Sequence, residues 1–347
     1  MKRETIYFLT LSMTTACAVD GADEVDTADL AVAAQQTILD GGVRAVDATR
    51  ATATDAGAVP AKIGEFSLQL VAPAVDFQGG TTPGFTSLLG KVYRGTLPES
   101  LIWEKRTEAS GCTLYTPRIP FCDPGCGASI CVEDDVCRAS PASLGVGRVT
   151  VSGIKTESGE TSFTVDPIRN NYLTPGTVRL PFPAFAEGDT IEVTTQGGDL
   201  APFKLTTSGI APLKLSGTGS YPLETGKPLD LKWIPAAGNG ASRIQVKLDI
   251  SHHGGTKGKI ECDVPDTGSL AIPADLVDKL RNLGVAGFPT VMVTRSSVGS
   301  TITSGGRVDL RVYSYVESPV EIPGVISCSE DFECQRGKVC RDDKTCG

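Results

Sequence analysis

The chain has 347 residues, of which 40% are hydrophobic but only 6% aromatic, together with 39 glycines and 22 prolines. It exceeds one ordinary domain, and this composition describes short strands and turns around aliphatic cores rather than long helices. The net charge of −9 excludes the basic footprint that a nucleic-acid backbone requires.

Met1-Lys2-Arg3 opens the chain with positive charge, and Thr5–Thr15 follows as an apolar run of signal-peptide length, too short to cross a bilayer. Ala16-Cys17 closes this leader (residues 1–16) and resembles the lipobox of bacterial lipoproteins. That resemblance implies lipidation of Cys17 and attachment to a membrane through the N-terminal lipid, with the outer membrane as the expected location, facing the periplasm or the cell surface. Ala16-Cys17-Ala18 also fits ordinary signal-peptide cleavage after Ala18, which would give plain secretion. Residues 17–59 carry eight acids and two bases and no aromatic residue. Such a stretch buries too little surface to offset its ordering entropy, and it reads as a disordered acidic tether.

Residues 60–211 read as a first β-sandwich. Phe66, Leu68 and Leu70 alternate with polar neighbours in Glu65–Val71, and Arg148–Ile154, Thr190–Thr195 and Pro202–Thr206 repeat the pattern between Gly- and Pro-bearing turns, as does Leu213–Leu215 just past this unit. A Cys-rich insertion occupies 111–138. A second β-sandwich, immunoglobulin-like in plan, is expected over 212–326. Its strands are Leu229–Trp233, Arg243–Ile250, Lys259–Val264, Ser269–Ile272, Pro289–Thr294 and Val308–Val316, with Trp233 in the core. One short helix is predicted at Pro273–Leu283, where Pro273 suits the first turn, Leu276, Leu280 and Leu283 form a stripe, and Gly284 stops it. The expected fold class is therefore mainly β: two sandwich-like domains, a disulfide-rich insertion and a small C-terminal knuckle at 327–347.

Besides Cys17 there are ten cysteines: Cys112, Cys122, Cys126, Cys131, Cys137, Cys262, Cys328, Cys334, Cys340 and Cys346. An even number in an exported chain implies up to five bridges, whose connectivity the sequence leaves open. Cys262 stands open between a bridge to the odd fifth cysteine of the 112–137 cluster and a buried free thiol. Ile130–Cys137 and Val339–Cys346 share the pattern β-branched–Cys–x–acid–Asp–x–x–Cys, a knuckle used twice. The final pattern ISCSEDFECQRGKVCRDDKTCG is similar to the cysteine-rich knuckles of myxobacterial lipoproteins, and loosely to Dickkopf and EB-type modules. GCTLYTPRIPFCDPGCGASICVEDDVC and IECDVPDTGSLAIPADLV resemble the same group. The resemblance implies compartment and architecture and brings no activity.

Sites for chemistry are sparse. G-x-x-x-x-G-K-[ST], H-E-x-x-H, G-x-S-x-G and a strand-to-helix G-x-G-x-x-G are absent, so no catalytic residue and no cofactor is expected. His252 and His253 are weak metal candidates, with Asp249 or Asp263 as helpers, because neighbours on a strand point to opposite faces. Asp263 to Gly268 reads as turn chemistry rather than a calcium loop. Tyr93, Trp103, Tyr115, Tyr172 and Tyr221 are the rings that a carbohydrate-binding surface would use. The expected role is non-enzymatic binding or structure at the envelope, with an unidentified protein or glycan partner. Carbohydrate handling and metal handling are the alternatives.

Overall fold

The computed structural model describes residues 59–75, 79–217, 219–238 and 241–347. The leader, Cys17 and nearly all of the tether lie outside the described residues. Alternating apolar positions build one large sheet, whose order is Asn171–Leu173, Phe85–Tyr93, Lys62–Val71, Gly306–Glu321, Thr290–Thr303, Arg243–Asp249, Lys259–Pro265, Cys112–Arg118 and Ile102–Ala109. Two-residue strands at Ser143–Leu144 and Tyr221–Pro222 join it from the side. Most pairings are antiparallel, but the first strand, Lys62–Val71, runs parallel to the last, Gly306–Glu321, from Lys62 opposite Arg307 to Leu70 opposite Ser314.

Two cores lie on the inner face of this sheet. In the first, Phe66, Leu68, Leu70, Leu88, Val308, Leu310 and Val312 pack with Val149, Val151, Ile191, Val193 and Leu205. The latter residues belong to a four-stranded sheet ordered Ser162–Val165, Val149–Ser152, Thr190–Thr195 and Lys204–Ser208. In the second, Ile244, Val246, Leu248 and Ile260 pack with Leu229, Leu231, Trp233, Ile272, Leu276, Val277 and Leu280. Leu276, Val277 and Leu280 come from the one α-helix among the described residues, Ala274–Arg281, which has Pro273 at its N-cap and Asn282 at its C-cap.

The long hairpin Thr290–Thr303 and Gly306–Glu321 serves both cores. Val308, Leu310 and Val312 belong to the first core and Val320 to the second. Cys112 and Leu114, from the expected insertion, also sit in the second core. Strands thus cross the expected 211/212 boundary in both directions, and one sheet carries both cores. Leu213–Leu215, expected as a strand, contributes only an isolated bridge from Leu215 to Trp233.

A buried polar belt separates the two cores. Arg295 is the largest fully buried side chain. Its Nε donates to Asp266 Oδ2 at 2.6 Å, and its Nη atoms donate to the carbonyls of Ala211, Pro212 and Ile234 at 3.2, 3.3 and 2.6 Å. Asp266 also accepts from Trp233 Nε1 at 2.7 Å and Ser242 Oγ at 2.9 Å. A buried ion pair needs such additional hydrogen bonds to offset its desolvation, and this one pins the connection between the cores.

Candidate functional site

Five disulfides consume all ten cysteines other than Cys17. Cys112–Cys262 joins facing residues on neighbouring strands of the large sheet and lies in the second core, so Cys262 is bridged rather than free. The remaining eight form two knuckles of identical connectivity: Cys122–Cys131 with Cys126–Cys137, and Cys328–Cys340 with Cys334–Cys346. In each set the first cysteine meets the third and the second meets the fourth. Cys131 faces Cys137, and Cys340 faces Cys346, across a short ladder. The turns correspond as well, because Asp135 and Lys344, at equivalent positions, have φ of 59° and 61°.

The equivalent aspartates, Asp134 and Asp343, tie these turns. Asp134 accepts from the Phe121 amide at 3.0 Å and from Arg118, which together hold its carboxyl below the usual range against some desolvation. Asp343 accepts from the Thr345 hydroxyl at 2.6 Å and its amide at 3.1 Å, and is lowered likewise. The sulfurs of Cys122, Cys126 and Cys131, and those of Cys328, Cys334 and Cys346, lie close together. All are disulfide-bonded and offer no thiolate to a metal. The C-terminal knuckle is docked on the body by the Gly287 amide, which donates to the Asp343 carbonyl at 2.6 Å, and by buried Cys328.

The two histidines sit side by side in the turn that follows Arg243–Asp249. His253 has φ of 61°, which turns its ring onto that of His252 at a centroid separation of 3.9 Å. Among the described residues, neither histidine belongs to a group of three metal-ligating side chains. Asp249 accepts from the amide and hydroxyl of Ser251, and Asp263 pairs with Arg243. Asp266 is held by Arg295 in the polar belt.

The five candidate rings do not form one row. Tyr172 and Tyr221 are core residues, and the Tyr172 hydroxyl accepts from the Val146 amide at 2.7 Å. Tyr93, Trp103 and Tyr115 are half-buried. Trp103 and Tyr115 lie over the buried Lys259 ammonium at 4.0 and 6.0 Å, a cation–π arrangement that shields the Lys259–Glu261 pair.

A different group of polar and aromatic residues gathers on the outer face of the large sheet, opposite the cores. Arg311, Tyr313 and Tyr315 alternate along the last strand and therefore share that face. The Arg311 guanidinium lies 4.7 Å from the Tyr313 ring centre, and the Tyr313 and Tyr315 rings are stacked, 6.5 Å apart and 17° from coplanar. Tyr313 donates to Gln69 Oε1 at 3.0 Å, and Arg311 Nη2 donates to Gln245 Oε1 at 2.9 Å. Burial pushes the Tyr313 phenol up to about 12 even though the Arg311 charge opposes this, so it stays a donor. Sequence reasoning passed over this strand face because Arg-x-Tyr-x-Tyr inside a strand is an ordinary alternation. Only the pairing with Lys62–Val71 brings Gln69 beside Tyr313.

The chain matches no protein-family model and no curated protein sequence. No helix among the described residues is long and apolar enough to cross a membrane.

Proposed function

We propose that the chain is an exported, lipid-anchored envelope protein with a non-enzymatic binding or structural role. The observation that carries this reading is the cysteine arithmetic. Five bridges close ten of the eleven cysteines, which leaves Cys17, at the lipobox-like junction, as the one available for a lipid. Bridges of this number belong to an oxidising compartment. Two knuckles of one design also agree with the resemblance to the myxobacterial lipoproteins.

The test is intact mass of the full-length protein recovered from membrane and soluble fractions. The expected result is a membrane-bound species that carries acyl mass on Cys17 and lacks ten hydrogens, and that Cys17→Ser shifts to the soluble fraction. Recovery from the cytosol with thiols reduced and the fold intact would overturn it. Carbohydrate handling is the second reading, favoured by the stacked Tyr313 and Tyr315 beside Gln69 and Arg311.

A further inference from the structure

We propose that the outer sheet face at Arg311, Tyr313 and Tyr315 binds a carboxylate-bearing sugar. The starting point is a charge without a counterion. Arg311 is 8% exposed, and its Nε has no hydrogen-bond partner. Among the described residues it makes no ion pair, and its contacts are the neutral Gln245 amide and the Tyr313 ring. The buried arginine of the polar belt, by contrast, has Asp266 and three carbonyls. Buried guanidinium groups are ordinarily paired, because an isolated charge is costly to desolvate. Nε itself is closed to solvent, so an arriving carboxylate would act as the missing counterion from the Nη side of the guanidinium, through a charge-assisted hydrogen bond there.

The surroundings select a sugar over a bare anion. The face is open beside the guanidinium, since Val298, directly opposite Arg311, is 40% exposed. Tyr315 is half-buried, and its ring continues the stack. That ring offers a flat apolar surface for the C–H face of a pyranose. Gln69, half-buried, presents an amide that both donates and accepts to ring hydroxyls, while Gln245, 3% exposed, fixes the guanidinium from below. A few placed polar groups around an apolar platform are what a small-molecule site requires.

This inference rests on the binding reading above. The membrane and mass test of that reading involves no sugar, so the two fail separately. The experiment is calorimetric titration of the full-length protein with trigalacturonate, its methyl ester and triglutamate. The acid should bind at least tenfold more tightly than the neutral ester, and more tightly than triglutamate. Arg311→Gln should remove the preference for acid over ester, and Tyr315→Ala should weaken both sugars at least fivefold. If Arg311→Gln does not fold, Arg311→Lys and Tyr315→Ala are read instead, each expected to weaken the acid at least fivefold. No binding by the parent protein, equal affinity for acid and ester, or triglutamate binding as tightly as the sugar acid would each overturn the proposal.

Discussion

Removing the Asp266 carboxylate tests the polar belt directly. In Asp266→Ala the Arg295 guanidinium stays buried, with both side chains of the pair only 2% exposed in the parent. Stripping one partner from a buried pair costs about 3–5 kcal/mol, mostly as the penalty of the charge left behind. Three carbonyls still hold the Nη atoms of Arg295, but Arg295 Nε, Trp233 Nε1 and Ser242 Oγ all lose their acceptor, so the expected cost sits in the middle of that range, about 4 kcal/mol. For a chain of this size that is roughly a 6 °C fall in Tm. The assay is guanidinium chloride denaturation at pH 7 with disulfides intact, run on Asp266→Ala, Arg295→Met and the double variant. The double variant should be less destabilised than the sum of the singles, because it removes the stranded charge.

The pH dependence has a definite sign. Burial raises the Asp266 carboxyl, but hydrogen bonds from Arg295, Trp233 and Ser242, with the Arg295 charge, outweigh it and leave the group lowered. Its contribution is therefore present above the unfolded pKa of about 3.9 and lost as pH falls through the folded value, so parent and variant should converge in strong acid. A cost below about 1 kcal/mol, or strict additivity in the cycle, would refute the reasoning.

Mild reduction followed by alkylation should label the half-buried knuckle cysteines Cys122 and Cys126 before Cys112 and Cys262, which are 0% and 1% exposed; mass mapping of the labelled peptides reads the order. Cys112→Ser with Cys262→Ser opens a loop of 150 residues, and loop entropy alone sets a ceiling of about 5 kcal/mol on the loss, measured by the shift in denaturation midpoint. Gly299→Ala places a Cβ 1.8 Å from the Thr206 carbonyl oxygen, a backbone atom, so a loss of about 2–3 kcal/mol is expected in the same assay. Tyr313, raised to about 12, favours the fold fully below the unfolded phenol value near 10, and that contribution of about 3 kcal/mol fades between the two values. Ultraviolet titration should show one phenol ionising about two units late, and Tyr313→Phe should flatten the alkaline loss of stability.

Local alternation made several elements legible. Thr190–Thr195 and Ser269–Ile272 match the sequence reading residue for residue, and Arg243–Asp249 and the helix Ala274–Arg281 differ only at their ends. The paired knuckle pattern was also legible, since cysteine spacing is a local property. The strand Ile102–Ala109 was missed because Glu104, Lys105, Arg106 and Glu108 make it read as a polar loop. It is the outermost strand of the sheet, and charged side chains with a bulge between Lys105 and Thr107 are how exposed edges resist further pairing. Residues 295–303 were cut from their strand for a similar reason. Arg295 and Ser297 face the interior as polar groups, and no apolar stripe marks them. The Arg311 and Tyr313 cluster was invisible because long-range register decides it, and register between strands 240 residues apart leaves no local trace.

The parallel pairing of the opening and closing strands has a mechanical consequence. A molecule held at its N-terminal side and pulled at the C-terminal knuckle would load these strands from opposite ends, sliding one along the other. The rungs between Lys62 and Ser314 would then share the load simultaneously instead of parting one after another. A fold built this way resists tension between its two ends better than its overall thermodynamic stability would suggest.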